Sequence, residues 1–326
     1  PSLFTLSLLY GFWGITTILL FWASYVKAQR ELGGLDRQGR SFGSIDAGRG
    51  FVAAAIATGA AYLLGLFLPT SVEDATLSEL QHSLSTIILL FSCLTALSAL
   101  FVWLFLPPTT KAVSSKNLEL KGLKTAFKRK TVWLQSFIIL CSYVGYKCTD
   151  DFSLYANVVL GYDDVESAKL AAMSFWVRPL AAIAAGILGD YFSHSKMVIA
   201  CFASIFIGGL VLAAGILDPG MSFYIVLTIS CTSAGIYGLR GLYYALFQEA
   251  KIPLAITGSA AGIVSVIGYT PDVFMGPLMG WVLDENPGPV GHQYIFGILC
   301  AFALGGILFT FLFKREIRSE RATYIK

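Results

Sequence analysis

Apolar residues along this chain come in long runs, separated by short clusters rich in charge, proline or glycine. Nine runs stand out, roughly at 3–25, 42–67, 83–107, 132–157, 167–189, 196–216, 221–247, 254–282 and 292–313. Each is about 20 residues or longer, the length at which an α-helix crosses the hydrocarbon of a bilayer. Lipid offers backbone N–H and C=O groups no partner, so each run is expected to be a helix. Strands of a membrane barrel would alternate apolar and polar over about 10 residues, and these runs do not.

Composition narrows the class further. The 326 residues are 56% hydrophobic and 13% charged, with a mean hydropathy of +0.70. Soluble domains carry about 25% charged residues, so this chain cannot coat a water-facing surface. That excludes a soluble enzyme and a disordered tail. The net charge of +3 is too small to point to nucleic acid. Six cysteines (Cys93, Cys141, Cys148, Cys201, Cys231 and Cys300) lie in or beside apolar runs, without CxxC or Cys/His metal spacing. They read as reduced, small hydrophobes. No metal or cofactor is expected. An all-α integral membrane protein is.

The charges also orient it. Of 23 basic residues, 18 fall in one set of alternate loops: Lys27 to Arg40, Lys111 to Lys130, Lys196, Lys251 and the tail from Lys314. The opposite set holds only Lys169, together with 11 of the 20 acids, among them Glu73, Asp74, Asp163 and Asp218. Lys and Arg accumulate in cytoplasmic loops, so the basic loops and the C-terminus are expected in the cytoplasm of a cell whose inner membrane holds the chain. The long cytoplasmic loop, residues 108–130, separates an N-terminal helical bundle, residues 1–107, from a six-helix bundle, residues 131–326. Within that loop, Leu120, Leu123 and Phe127 alternate with lysines, which suits a helix lying on the lipid surface.

The first and seventh runs repeat one another. Tyr10-Gly-Phe-Trp-Gly14 lies over Tyr237-Gly-Leu-Arg-Gly241, Gly39-x-x-x-Gly43 over Gly258-x-x-x-Gly262, and His82 over His292. Parallel repeats with six helices per half build one large class of secondary transporter. A twelve-helix protein is therefore expected, with three helices preceding Pro1. The four glycines read as small surfaces for close helix crossing.

Gly186-Ile-Leu-Gly-Asp190-Tyr-Phe-Ser-His-Ser-Lys196 resembles the loop motif GxLaDRxGrr of the major facilitator superfamily, in its second-half copy, with Tyr191 where Arg is usual. The chain is similar to helices 4–12 of that superfamily. Phe42-Gly-Ser-Ile-Asp-Ala-Gly-Arg-Gly50 and Gly268-Tyr-Thr-Pro-Asp-Val-Phe-Met-Gly-Pro277 resemble bacterial inner-membrane permeases grouped with nitrate/nitrite and sugar-phosphate porters. The Asn- and Gly-rich motifs of nitrate porters and the Gly-Pro motif of drug antiporters are absent. The resemblance implies alternating access, with Gly186 and Asp190 packing against the start of the second run when the protein is open outward.

An ionisable group at bilayer depth costs at least ~2.5–3.5 kcal/mol unless paired or hydrated. Here these are Asp46, Arg49, Lys147, Arg178, Arg240 and Asp272. Arg178 precedes Asp190 by about 18 Å of helix, near the midplane; it either grips an anion or caps carbonyls freed at Pro179. Arg240 is either a second anion ligand or paired with a neighbouring helix. Asp46 and Arg49 share one helix face and neutralise each other, or Arg49 faces the cavity. Lys147 reads as a partner of Asp150 or Asp151, or as a gate contact. Asp272 follows Pro271 in a bendable helix, carrying a coupling proton or pairing with Lys147. Trp13, Tyr237, Tyr243 and Tyr244 line the cavity or simply pack.

No HExxH, P-loop or GxSxG is present, so an enzyme is not expected. The expected function is secondary transport of a small organic anion (sugar phosphate, hexuronate, other carboxylate or sulfonate) by a monomer, coupled to H⁺ or a counter-anion. A transporter of neutral sugars or drugs, or a non-transporting sensor, is the alternative.

Overall fold

The computed structural model describes residues 2–34, 37–67, 77–105, 116–162 and 164–325. Glu73, Asp74, Lys111 and Asp163 lie outside the described residues, as do the side chains of His82 and Lys169. The described residues are helical, with no strand among them. In chain order the helices are α1 (Leu3–Gly33), α2 (Gln38–Phe67), α3 (Leu77–Phe105), α4 (Lys116–Lys128), α5 (Lys130–Cys148), α6 (Phe152–Val158), α7 (Asp164–Phe192), α8 (His194–Ala213), α9 (Ser222–Leu242), α10 (Thr257–Gly268), α11 (Pro271–Glu285) and α12 (Pro289–Ile325).

Six segments among the described residues are long and apolar enough to cross a membrane: Leu3–Gly33, Ile88–Phe105, His194–Ala213, Ser222–Leu242, Leu254–Glu285 and Pro289–Glu320. The other three expected runs are also helices, α2, α5 and α7, of 30, 19 and 29 residues. These three carry Asp46, Arg49, Lys147 and Arg178.

Two boundaries differ from the hydropathy pattern. The eighth run is two helices, because α10 stops at Gly268 and Pro271 opens α11 at its first position. Proline lacks the N–H that helix interiors need and is tolerated in a first turn. In α1, residues Ile15–Trp22 widen into a π-helical stretch, which changes the phase of the faces before and after it.

The chain forms two compact units, residues 1–50 with 117–326, and residues 51–116. The boundary falls inside α2. In the larger unit α12 packs along α8 and α5, α9 along α7 and α8, and α10 along α5 and α1. Ile138, Val144, Phe152, Phe202, Ile205, Ile236 and Phe296 fill the core between them. Close approach of α8 and α9 needs Gly235, where a Cβ would stand 2.7 Å from the Cys201 carbonyl oxygen. Outward-facing positions are apolar too, with Leu180, Phe223 and Ile207 all more than half exposed. A soluble protein rarely shows such a surface; a lipid-facing one requires it. In the smaller unit the described side chains of α3, from Ile88 on, are mostly apolar and mostly exposed.

The amphipathic segment forms α4, with Ala126 buried and Leu123 and Phe127 exposed. The Phe127 ring meets Trp133 edge-on at 5.0 Å, and the Trp133 indole donates to the Phe127 carbonyl at 2.7 Å.

Candidate functional site

Asp46 on α2 and Arg178 on α7 are nearly sealed from solvent, at 4% and 8% exposure. They meet fork to fork: Arg178 Nη2 donates to Asp46 Oδ1 at 2.9 Å and Nε to Oδ2 at 3.3 Å. Arg49, one turn along α2, reaches Asp46 Oδ1 at 3.3 Å. Gly50 leaves room for the arginine stem, since a Cβ there would lie 2.9 Å from Arg178 Cδ. The sequence paired Asp46 with Arg49 alone; its bidentate partner is 132 residues away. Arg178 does not cap the carbonyls near Pro179.

Arg240 is different. Its Nε and Nη1 are buried without a hydrogen-bond partner, and no ion pair among the described residues reaches it. Tyr146 and Tyr143, one turn apart on α5, place ring centroids 4.0 and 5.6 Å from its guanidinium carbon. Cation–π attraction of this kind is worth roughly 0.5–2 kcal/mol. It leaves the Nε and Nη1 donors without an acceptor among the described residues. The residue as a whole stays partly accessible.

A tyrosine cluster surrounds it. Tyr237 is fully buried, its ring 6.5 Å from Tyr146 and 5.8 Å from the Arg178 guanidinium. The Tyr244 hydroxyl meets Tyr269 at 3.0 Å and Ser265 at 2.9 Å, and Tyr243 meets Tyr269 at 3.4 Å. Trp22 and Tyr25 on α1 cover Arg49, at 4.8 and 5.7 Å, and Trp22 packs against Tyr269 at 5.5 Å. Trp13, expected in this wall, is 61% exposed and tilts against Tyr10. The π-helical stretch between the two tryptophans carries Trp22, not Trp13, to the cluster.

Asp272, in the first turn of α11, is half exposed. It accepts from the Tyr143 hydroxyl at 2.9 Å and lies 3.9 Å from Lys147, which holds Asp150 at 2.9 Å. Pro271 is buried beneath it. Beside them a pair that hydropathy did not reveal, Asp151 with His292, is sealed at 2.9 Å.

At the far end of α7, Asp190 accepts the N–H groups of Gly39 (2.7 Å) and Arg40 (2.8 Å) in the first turn of α2. A carboxylate there meets orphan N–H donors and the positive end of the helix dipole. His194 reaches Asp190 at 3.0 Å, and Glu249 accepts from the Ser193 hydroxyl and the Ser195 N–H. The helices touch backbone to backbone: a Cβ on Gly39 would meet the Gly186 carbonyl oxygen at 2.5 Å, and one on Gly43 would clash with that of Ala182. Their repeat counterparts behave otherwise, for a Cβ on Gly258 or Gly262 meets nothing within 4 Å among the described residues. Among the described residues, no helix crosses closely at those two.

Sequence reasoning missed Tyr143, Tyr146, Tyr269, Trp22 and Tyr25 because tyrosine and tryptophan in an apolar helix read as packing. One signal was present: Tyr143, Tyr146 and Lys147 fall on one face at helical spacing.

Comparison with known proteins places the fold. No known family profile matches the chain. Two Escherichia coli K12 proteins align with 98% of it over 335 positions: inner membrane protein YqcE, 27% identical and covered over 75% of its length, and inner membrane protein YihN, 25% and 76%. Among solved structures, a variant of the E. coli fucose:proton symporter FucP superposes with a TM-score of 0.64 at 16% identity. The match covers 86% of this chain and 70% of that one. A bacterial homologue of the iron transporter ferroportin, in its outward-facing state, gives 0.57 at 14% identity over 85% of this chain. The chain spans 65% of that protein's length. The architecture is thus the major facilitator fold, in a multi-pass membrane protein. Its relatives YqcE and YihN are proteins of a bacterial inner membrane.

Proposed function

We propose that the protein is a secondary transporter of a small organic anion, cycling by alternating access with the basic loops and C-terminus in the cytoplasm. The observation that carries this reading is Arg240, a buried cation with unused donors that remains partly accessible. A buried unpaired charge is costly, and an anionic substrate would supply the missing acceptor. Arg178, Arg49 and Asp46 form the adjoining wall, Tyr237 and Tyr244 its aromatic face. The Asp190 contact and the backbone crossing of α2 and α7 close the basic end and support an outward-open state, which the ferroportin homologue also adopts. The coupling proton is assigned to Asp272, a solvent-open carboxyl that also lies near Lys147 and accepts from Tyr143. FucP is named as a proton symporter.

The test is uptake of labelled organic acids into proteoliposomes under an inward proton gradient. Wild type should accumulate one of them, and Arg240→Ala should lose at least 90% of that flux while still melting cooperatively. The tyrosine cluster and the likeness to FucP favour a second reading, a transporter of neutral sugar. Uptake of neutral sugars unchanged by Arg240→Ala would establish that reading instead, and specific binding without flux would identify a sensor.

A further inference from the structure

The charge balance and the chemistry of the wall narrow the substrate, if the organic-anion reading above holds. Among the described residues, three charged side chains of the site have polar atoms sealed from water. Asp46 and Arg178 neutralise one another in a bidentate pair, and Arg240 has buried donors with no partner. The remaining charged groups, Arg49, Lys147, Asp150 and Asp272, have side chains between 24% and 58% exposed, so water screens them. Among these sealed groups the excess is one positive charge. A ligand bearing one negative charge restores neutrality where the dielectric is low. A phosphate monoester, at about −1.5 to −2 near pH 7, would leave negative charge uncompensated there, at the cost of burying an unpaired ion.

The groups around Arg240 specify the rest of the molecule. Tyr146 and Tyr143 hold the guanidinium over their ring faces, so an anion on Arg240 sits beside aromatic rings whose remaining surface is apolar. Beyond them stand the hydroxyls of Tyr243, Tyr244, Tyr269 and Ser265, bonded to one another at 2.9 to 3.4 Å. Each hydroxyl can donate once and accept twice, and the 3.4 Å contact is long. The cluster therefore retains capacity for hydroxyl groups of a ligand. A plain aliphatic carboxylate would use Arg240 and leave these hydroxyls unengaged.

We infer that the substrate is a sugar acid, a hydroxylated ring carrying a single carboxylate or sulfonate, with its anionic group on Arg240 and its ring against the tyrosines. The test is a thermal-shift titration of the full-length protein in detergent at pH 7 with glucuronate, glucose 6-phosphate, glucose and acetate. A ligand that binds only the native state raises its stability in proportion to saturation. Glucuronate should raise the melting temperature by several degrees in wild type and by less than one degree in Arg240→Gln, with the other three inert. If that variant does not fold, Arg240→Lys should bind glucuronate at least tenfold more weakly, because an ammonium lacks the planar fork. Tyr243→Phe, which preserves the ring and removes one hydroxyl, should also weaken glucuronate. Stabilisation by glucose 6-phosphate, or equally by acetate, would overturn the sugar-acid inference and leave the organic-anion reading standing. Stabilisation by glucose alone would overturn both, and a cooperative melt that no compound shifts would overturn the sugar-acid inference.

Discussion

At the residue scale, the site turns on which cation is satisfied. Arg178 and Arg240 looked alike in the sequence, each a lone arginine in an apolar run. Helical spacing shows partners three and four residues away, so Arg49 was visible as a neighbour of Asp46. The stronger partner of Asp46 comes from another helix, and nothing local encodes that pairing. Its energetic consequence is testable. Breaking a buried ion pair by removing one partner costs about 3–5 kcal/mol, whereas removing both is far cheaper. Asp46→Ala and Arg178→Ala should each lower the melting temperature by several degrees, and the double variant should recover much of the loss. Calorimetry of the three proteins in one detergent measures the coupling. Strict additivity would show that the two side chains do not act as a pair. Arg240 should behave in the opposite manner, since Arg240→Met removes an unpartnered charge and should leave the melting temperature unchanged or raise it.

At the scale of elements, the contact between α2 and α7 is the closest approach of two backbones described above. It runs from Asp190 on the first turn of α2, through Gly39, Gly43 and Gly186, to Asp46 and Arg178. Its glycine spacing was legible; which glycines touch a neighbour was not. Gly39-x-x-x-Gly43 and Gly258-x-x-x-Gly262 are the same pattern, yet among the described residues only the first meets another backbone. A pattern records that a helix can be approached closely, and the partner's position decides whether it is. Gly43→Val should therefore force α2 away from Ala182 and depopulate this conformation, whereas Gly262→Ala should be tolerated. Spin labels at Arg40 and Lys196 report the spacing at this end. Their distance distribution should lengthen in Gly43→Val and stay unchanged in Gly262→Ala. Asp190→Asn should lengthen it less, because a neutral amide oxygen can still accept from one N–H.

For the whole molecule, hydropathy outlined the helices because lipid demands apolar exteriors whatever the fold inside. It failed where two local rules compete. Residues 254–282 read as one largely apolar run, but Pro271 cannot continue a helix that has already ended at Gly268. The resulting break puts Tyr269 beside Tyr143 and Tyr244, and hydropathy is blind to that. The arrangement of charge is independent of these details. Eighteen of 23 basic residues lie in alternate loops, and the positive-inside bias predicts a cytoplasmic position for such loops. In a version lacking all six native cysteines, one cysteine at Lys251 and another at Asp218, both exposed, lie in loops of opposite sets. A membrane-impermeant maleimide added to intact cells should label Asp218→Cys and leave Lys251→Cys unmodified until the membrane is permeabilised. Labelling of Lys251→Cys in intact cells would invert the orientation. The Asp190 latch would then close the outer end, and the arginine cluster would be open to the cytoplasm.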